Sequence, residues 1–160
     1  MVLGSASSDG EEWVQVELPV APNGTTGWVR RASLGDLRTT DRALTVDTAA
    51  LHASLVRGDR QLWSAPIGVG TADWPTPRGT FYVRARVVPS RSTPLYGAFA
   101  FCTSGIAPEP WRGGKYLAIH GTNRPERIPG RVSKGCIRLR DEDVLRLRPL
   151  LPLGARVSIV

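Results

Sequence analysis

Tyr116-Leu117-Ala118-Ile119-His120-Gly121-Thr122 and, after an intervening loop, Ser133-Lys134-Gly135-Cys136-Ile137-Arg138-Leu139 are the stretches from which the rest of the chain is read. An apolar run delivers a histidine onto a glycine. The segment between is rich in Pro, Gly and Arg and reads as a loop. The chain then presents Ser-Lys-Gly-Cys and becomes strand-like again at Ile137-Arg138-Leu139. A thiol becomes a useful nucleophile when a base or a cation lowers its pKa and its approach is open. Glycine directly before Cys136 permits a sharp turn and lets successive amides converge on an incoming carbonyl oxygen. Cysteine, histidine, glycine turn and a nearby arginine together point to covalent acyl transfer.

At these residues the sequence resembles the L,D-transpeptidase catalytic domain family of bacterial cell-wall enzymes. The family's pattern is a His-Gly-Thr-like start, a spacer, and Ser/Thr-x-Gly-Cys-x-Arg. Its counterparts here are His120, Gly121, Thr122, Ser133, Gly135, Cys136 and Arg138. An upstream family feature is present as Thr76-Pro77-Arg78-Gly79-Thr80-Phe81. The resemblance spans Asp41 to Val160. One position departs: Lys134 stands where many members carry a second histidine.

The resemblance implies a set of roles. Two neighbouring strands joined by the 122–132 loop would bring His120, the general base, beside Cys136, the nucleophile. The Gly121 carbonyl would orient the imidazole, and the amides of Lys134, Gly135 and Cys136 would form the oxyanion hole. Arg138 would bind a substrate carboxylate or anchor the loop. Ser133, Thr122, Tyr96 and Trp111 complete the expected substrate-binding set, the two aromatics being equally compatible with a place in the core. Cys136 would attack a peptidoglycan stem tetrapeptide before its terminal D-alanine, and an amine of a second stem would resolve the thioester. No metal or organic cofactor is implied. A carbapenem adduct, an extracytoplasmic location and a monomer are expected. Two readings stand beside transfer: an L,D-carboxypeptidase, with water as acceptor, and a non-catalytic wall-binding module.

Bulk properties agree with a soluble globular chain. It has 160 residues, 41% of them hydrophobic and 22% charged, enough for one domain of ordinary size with a core. Thirteen prolines and 17 glycines argue against a helical bundle. Of 21 basic residues only Lys115 and Lys134 are lysines, and the net charge is +7. Such a balance favours polyanionic surroundings. The cations are scattered and no nucleic-acid motif accompanies them, so nucleic acid is disfavoured and an anionic wall fits better. No apolar run reaches the length of a membrane span. The N-terminus lacks the basic start and apolar stretch of a signal peptide. With an extracytoplasmic role, the chain is expected to be a truncated piece. The two cysteines permit one disulfide. Cys102, within Ala98-Phe99-Ala100-Phe101-Cys102, reads instead as a buried, reduced residue of a strand.

Along the chain, residues 1–10 are small and polar and are expected to be a disordered tail. Residues 11–34 read as two strands, Trp13–Leu18 and Thr26–Arg30, either a β-hairpin or part of a bacterial Src-homology-3-like wall-binding module. Residues 35–40 form a linker. Residues 41–160 form the catalytic domain: strands at Arg42–Asp47, Ala50–Arg57, Gln61–Ser64, Thr80–Ala85 and Gly97–Phe101, and a last one at Gly154–Val160. His52 reads as structural or exposed. The two glycines of Ile67–Thr71 suggest close backbone approach rather than a phosphate loop. Ser104–Lys115 reads as a long loop of the kind that forms lids. Asp141–Leu147 suits a short helix, acids first and arginine near its end. The expected fold is mainly β, a β-sandwich or barrel-like domain with one or two short helices.

Overall fold

The computed structural model describes the backbone of residues 1–90, 92–111 and 114–160, and their side chains apart from 108–111 and 114. Val2–Ser8 (β1), Glu11–Glu17 (β2) and Thr26–Arg30 (β3) make an antiparallel sheet in the order β1-β2-β3. The tail expected at 1–10 is therefore a strand, paired from Val2 opposite Val16 to Ser8 opposite Glu11. Ladder pairing uses main-chain groups only, so small polar residues satisfy it. The overlooked signal is Asp9-Gly10, whose φ values of 52° and 77° suit the tight hairpin that Asp-Gly favours.

A small antiparallel sheet needs a surface to pack on, and the turn after β2 supplies the contact. Asn23 Nδ2 donates to the Ile106 carbonyl at 3.0 Å, and Asn23 Oδ1 accepts from the Ile106 N–H at 2.7 Å. Ser104 Oγ donates to the carboxylate of the buried Glu17 at 2.9 Å.

After an irregular segment come Arg42–Asp47 (β4), His52–Arg57 (β5), Arg60–Pro66 (β6), Gly68–Gly70 (β7), Gly79–Val87 (β8), Ala100–Trp111 (β9) and Gly114–His120 (β10). Gly130–Ser133 (β11), Ile137–Arg138 (β12), the helix Asp141–Leu147 (α1) and Arg156–Ile159 (β13) complete the described elements. Among the described residues the main sheet has ten strands, ordered β11-β7-β12-β10-β9-β8-β13-β4-β5-β6. Mainly β structure with one short α-helix is the expected fold class. Period-2 alternation builds it: Leu44 and Val46, Ala53 and Leu55, Trp63 and Ala65, Phe81 and Val83, Val157 and Ile159 all turn inward and are buried. The helix adds Val144 and Leu147, three residues apart on one face, to the same core. His52 is exposed.

Within the expected 104–115 loop, the described residues 104–111 and 114–115 are instead strand. Here β9 continues to Trp111 and pairs with β10, with register shifts between Gly114, Tyr116 and Ala118. Pairing with a neighbouring strand outweighs a composition rich in turn formers.

Two strand pairings position the site. β10 lies between β9 and the two-residue β12, and it runs parallel to β12 with Ile119 opposite Ile137 and His120 opposite Arg138. The loop between them is exposed from Asn123 to Arg127. No helix among the described residues is long and apolar enough to cross a membrane.

The Asn23 contact is testable. Asn23→Ala leaves both main-chain groups of Ile106 without their side-chain partner, at a cost of roughly 1–3 kcal/mol. The urea midpoint should fall accordingly, and hydrogen exchange at Ile106 should quicken. Unchanged exchange there would remove Asn23 as the tie between the two sheets.

Candidate active site

His120 ends β10, and its backbone is held from two sides. The Leu139 N–H donates to the His120 carbonyl at 2.8 Å, and the next amide, Gly121, donates to the Phe99 carbonyl at 3.0 Å. The imidazole is 2% exposed. Its Nδ1 lies 2.6 Å from the Gly121 carbonyl. A carbonyl oxygen can only accept, so Nδ1 carries the proton and Nε2 of the neutral ring is the basic nitrogen. Burial lowers the His120 pKa to about 4; the Gly121 hydrogen bond opposes the drop and the Arg138 charge adds to it. The ring is thus neutral at pH 7, as a proton acceptor must be.

Cys136 sits on a turn tied at several points. Gly135 has φ of +108°, a conformation that strains any residue with a Cβ. Ser133 Oγ donates to the Cys136 carbonyl at 2.6 Å and accepts from the Gly135 N–H at 3.1 Å. Thr76 Oγ1 donates to the Gly135 carbonyl at 2.8 Å and accepts from the Gly70 N–H at 2.8 Å. The Thr-Pro-x-Gly loop therefore braces the cysteine turn through its threonine. A Cβ on Gly70 would lie 2.1 Å from the Trp74 carbonyl oxygen, which explains that glycine by close backbone approach.

These bonds alter several expected roles. The Gly135 amide is committed to Ser133 and is not a free oxyanion donor. Among the described residues, the Lys134 and Cys136 amides donate to no protein acceptor. Ser133 locks the turn through these two bonds while it lines the Cys136 cleft. Thr122 is buried, its N–H donates to Asp141 Oδ1 at 3.1 Å and its Oγ1 accepts from the Arg124 N–H at 3.2 Å, so it too holds backbone. The Trp111 side chain lies outside the described residues.

The thiol also differs from expectation. Burial pushes the Cys136 pKa up; the Ala118 main-chain hydrogen bond and the Arg138 charge oppose that rise. The resting site is a neutral thiol and a neutral imidazole, not a preformed ion pair. Lys134 places its Nζ over the Trp74 ring, 5.1 Å from the centroid. Arg138 carries the charge that acts on Cys136.

A cleft of ≈ 330 Å³ gathers His120, Cys136, Arg138, Lys134 and Trp74 in its walls. Tyr96 packs on His120 with ring centroids 4.8 Å apart. It lines a second cavity of ≈ 280 Å³ with Cys102, Ala118 and Cys136. Both cysteines are free, and Cys102 is half-buried, not fully enclosed as expected. Cys102 stands opposite Ala118, which in turn precedes the residue paired with Ile137. The two cysteines are thus two strands apart, roughly 9–10 Å at the strand spacing, beyond disulfide reach. Among the described residues no group of three His, Cys, Asp or Glu is placed to hold a metal ion.

Asp141 escaped the sequence reading, which assigned it only to the helix dipole. Its Oδ1 accepts from the Ala98 N–H at 3.0 Å and from the Thr122 N–H at 3.1 Å. A Cβ on Gly97 or Gly121 would lie 2.1 Å from that oxygen. One carboxylate oxygen thus clamps the segment following Tyr96 to the segment following His120. Nothing local distinguishes a first-turn acid that serves its own helix from one that reaches across.

Two outcomes follow from this geometry. Asp141→Ala should lower stability by about 2 kcal/mol in urea unfolding, because two amides lose a charged acceptor. Asp141→Asn, which keeps the accepting oxygen, should recover most of it; equal loss in both would remove the clamp. His120 sets a pH dependence. Its folded pKa, about 4, lies below the unfolded value of ~6.5, so the unfolded chain binds the extra proton first. Stability should therefore fall from pH 6.5 towards pH 4, with about 3 kcal/mol traceable to this group. In His120→Gln that part of the slope should vanish, whatever the variant's absolute stability.

Comparison with known proteins agrees with this geometry. The family model of the YkuD L,D-transpeptidase catalytic domain matches residues 41–159. A Bacillus licheniformis protein named as an L,D-transpeptidase, YkuD, is 39% identical over 105 residues, covering 66% of this chain and 57% of its own length. The Bacillus subtilis YkuD protein is 34% identical over 118 residues, covering 72% of this chain and 64% of its own length. The chain thus spans about three-fifths of these curated relatives. A solved L,D-transpeptidase from Mycobacterium tuberculosis shares the fold, with TM-score 0.59 and 18% identity over 75% of this chain and 57% of that one. The chain belongs to the L,D-transpeptidase catalytic domain family.

Proposed function

We propose that this chain is a peptidoglycan L,D-transpeptidase acting at the cell wall, with Cys136 as nucleophile. The observation that carries the reading is the 2.6 Å bond from His120 Nδ1–H to the Gly121 carbonyl. It leaves Nε2 as the basic nitrogen in a cleft shared with the thiol. A main-chain carbonyl here does what a carboxylate does in other triads: it sets tautomer and orientation.

The reaction then runs in two halves. Cys136 Sγ attacks the carbonyl carbon of the bond between the third residue of a tetrapeptide stem and its terminal D-alanine. The thiol proton passes to His120 Nε2 during the attack, since neither group is ionised beforehand. The Lys134 and Cys136 amides are the donors left to stabilise the oxyanion, at ~2.7–4 kcal/mol for the loss of one. His120 returns the proton to the leaving amine, D-alanine departs, and a thioester remains. An amine of a second stem attacks the thioester and loses its proton to His120, which hands it back to Sγ as the cross-link forms. Arg138 anchors the donor, and Tyr96 forms the wall next to His120 and the thiol. The charge of +7 suits an anionic wall. We take the acting unit to be a monomer.

Solved relatives carry β-lactam-type ligands: one L,D-transpeptidase is described in complex with imipenem and another as an avibactam carbamoyl enzyme. Imipenem should therefore add the mass of one opened molecule to this protein. Cys136→Ala should gain nothing, and His120→Ala should react about 10²–10⁴-fold more slowly. Cys102→Ala should react as wild type. With a tetrapeptide stem, product analysis with and without an acceptor amine separates transfer from L,D-carboxypeptidase hydrolysis. A folded wild type that stays unmodified yet sediments with peptidoglycan would leave only the wall-binding reading.

A further inference from the structure

Thr76 is buried and stands in the wall of neither cavity beside Cys136, yet its hydroxyl is bonded on both sides. The Gly70 N–H donates to Thr76 Oγ1 at 2.8 Å, and Oγ1 lies 2.8 Å from the Gly135 carbonyl oxygen. A carbonyl only accepts and a hydroxyl has one proton, so that proton points at Gly135. The Gly135 carbonyl belongs to the same peptide unit as the Cys136 N–H, and that unit is trans. In a trans peptide the C=O and the N–H point in opposite directions. Holding the oxygen on Thr76 therefore aims the Cys136 N–H away from Thr76, and among the described residues that N–H has no protein acceptor. Ser133 cannot set this plane. Its Oγ is bonded to the Gly135 N–H and the Cys136 carbonyl, which belong to the peptide units before and after it. Gly135 itself, at φ +108°, has the most freely rotating backbone of any residue type.

We propose that Thr76 is a positioning residue for acyl transfer: its hydroxyl fixes the Gly135–Cys136 peptide plane so that the Cys136 N–H stands as an oxyanion donor beside Sγ. The proposal rests on the acyl-transfer reading of Cys136 and adds the residue that sets its oxyanion donor. The run from the Gly70 N–H through the Thr76 hydroxyl to the Gly135 carbonyl also strengthens the donor. Hydrogen bonds in a chain polarise one another, and charge drawn onto the Gly135 oxygen makes the N–H of the same amide more acidic. A donor set in advance costs no reorganisation as charge develops on the attacked carbonyl.

Two reagents in a Cys102→Ala background separate aiming an oxyanion donor from merely holding the turn. With p-nitrophenyl acetate, Sγ bonds to the carbonyl carbon through a tetrahedral oxyanion, the thiol proton passes to His120, and p-nitrophenolate leaves. With allyl bromide, Sγ bonds to carbon as bromide leaves, with the same proton transfer and no oxyanion. The ratio of acylation to alkylation rates at Cys136 should exceed that of a small model thiol by roughly tenfold or more. In Thr76→Val the ratio should fall by roughly tenfold through acylation alone, with alkylation at the wild-type rate. Thr76→Ser keeps the hydroxyl and both bonds, so it should keep the wild-type ratio, and it tests the proposal even where Thr76→Val does not fold. A wild-type ratio equal to that of the model thiol overturns the proposal. So does a ratio unchanged in Thr76→Val, a parallel fall of both rates there, or a folded Thr76→Ser that loses the ratio. Each of these leaves acyl transfer standing while imipenem still adds to Cys136. A Thr76-dependent ratio in a protein that neither imipenem nor a tetrapeptide stem acylates supports the positioning role and overturns the transpeptidase reading.

Discussion

The parallel pairing of β10 with the two-residue β12 is the constraint on which the site depends. Ile119 opposite Ile137 puts His120 opposite Arg138, so the base leaves its strand where the cysteine turn enters the other. A slip of one residue would send these side chains to the opposite face. The register is held from both flanks: Ile119 and Ile137 are buried in the core, and β9 and β7 complete the ladder. The cysteine turn then needs only local ties, from Ser133 within the turn and Thr76 beside it.

Burial and charge oppose each other in this site, and burial prevails. It lowers the basicity of His120 and raises the pKa of Cys136, while Arg138 pulls the thiol the other way. Both groups rest neutral, so no ion pair waits in a poorly solvated cleft, where uncompensated charge is expensive. Proton movement is thereby tied to bond formation. The same economy shapes the backbone: the site's glycines admit a left-handed turn at Gly135 and the Asp141 carboxylate at Gly97 and Gly121.

The N-terminal sheet shows how weak local signals mislead. Small polar residues at 1–10 lack the apolar alternation that marks a buried strand, yet β1 forms because Asp9-Gly10 turns it back onto β2. The turn formers of 104–115 point to a loop, yet β9 and β10 run through most of it. In both places the partner strand supplies the order, and a partner cannot be seen in a window of ten residues.

What the sequence by itself determined is the local and the chemical: the alternating strands from Arg42 onward, the acid-led helix at Asp141–Leu147, the glycine before Cys136, and the His-Gly and Ser-x-Gly-Cys-x-Arg motifs that mark the family. These depend on neighbours a few residues away, which a linear reading contains. The tertiary structure alone decided which polar groups are already in use. The Gly135 amide belongs to Ser133, Thr122 belongs to Asp141, Lys134 sits on Trp74, and Arg138 is left with an unpaired Nε. It also decided that the thiol rests protonated. The physical reason is that desolvation and hydrogen-bond commitment are set by whatever the fold packs against a group, and those partners arrive from distant parts of the chain.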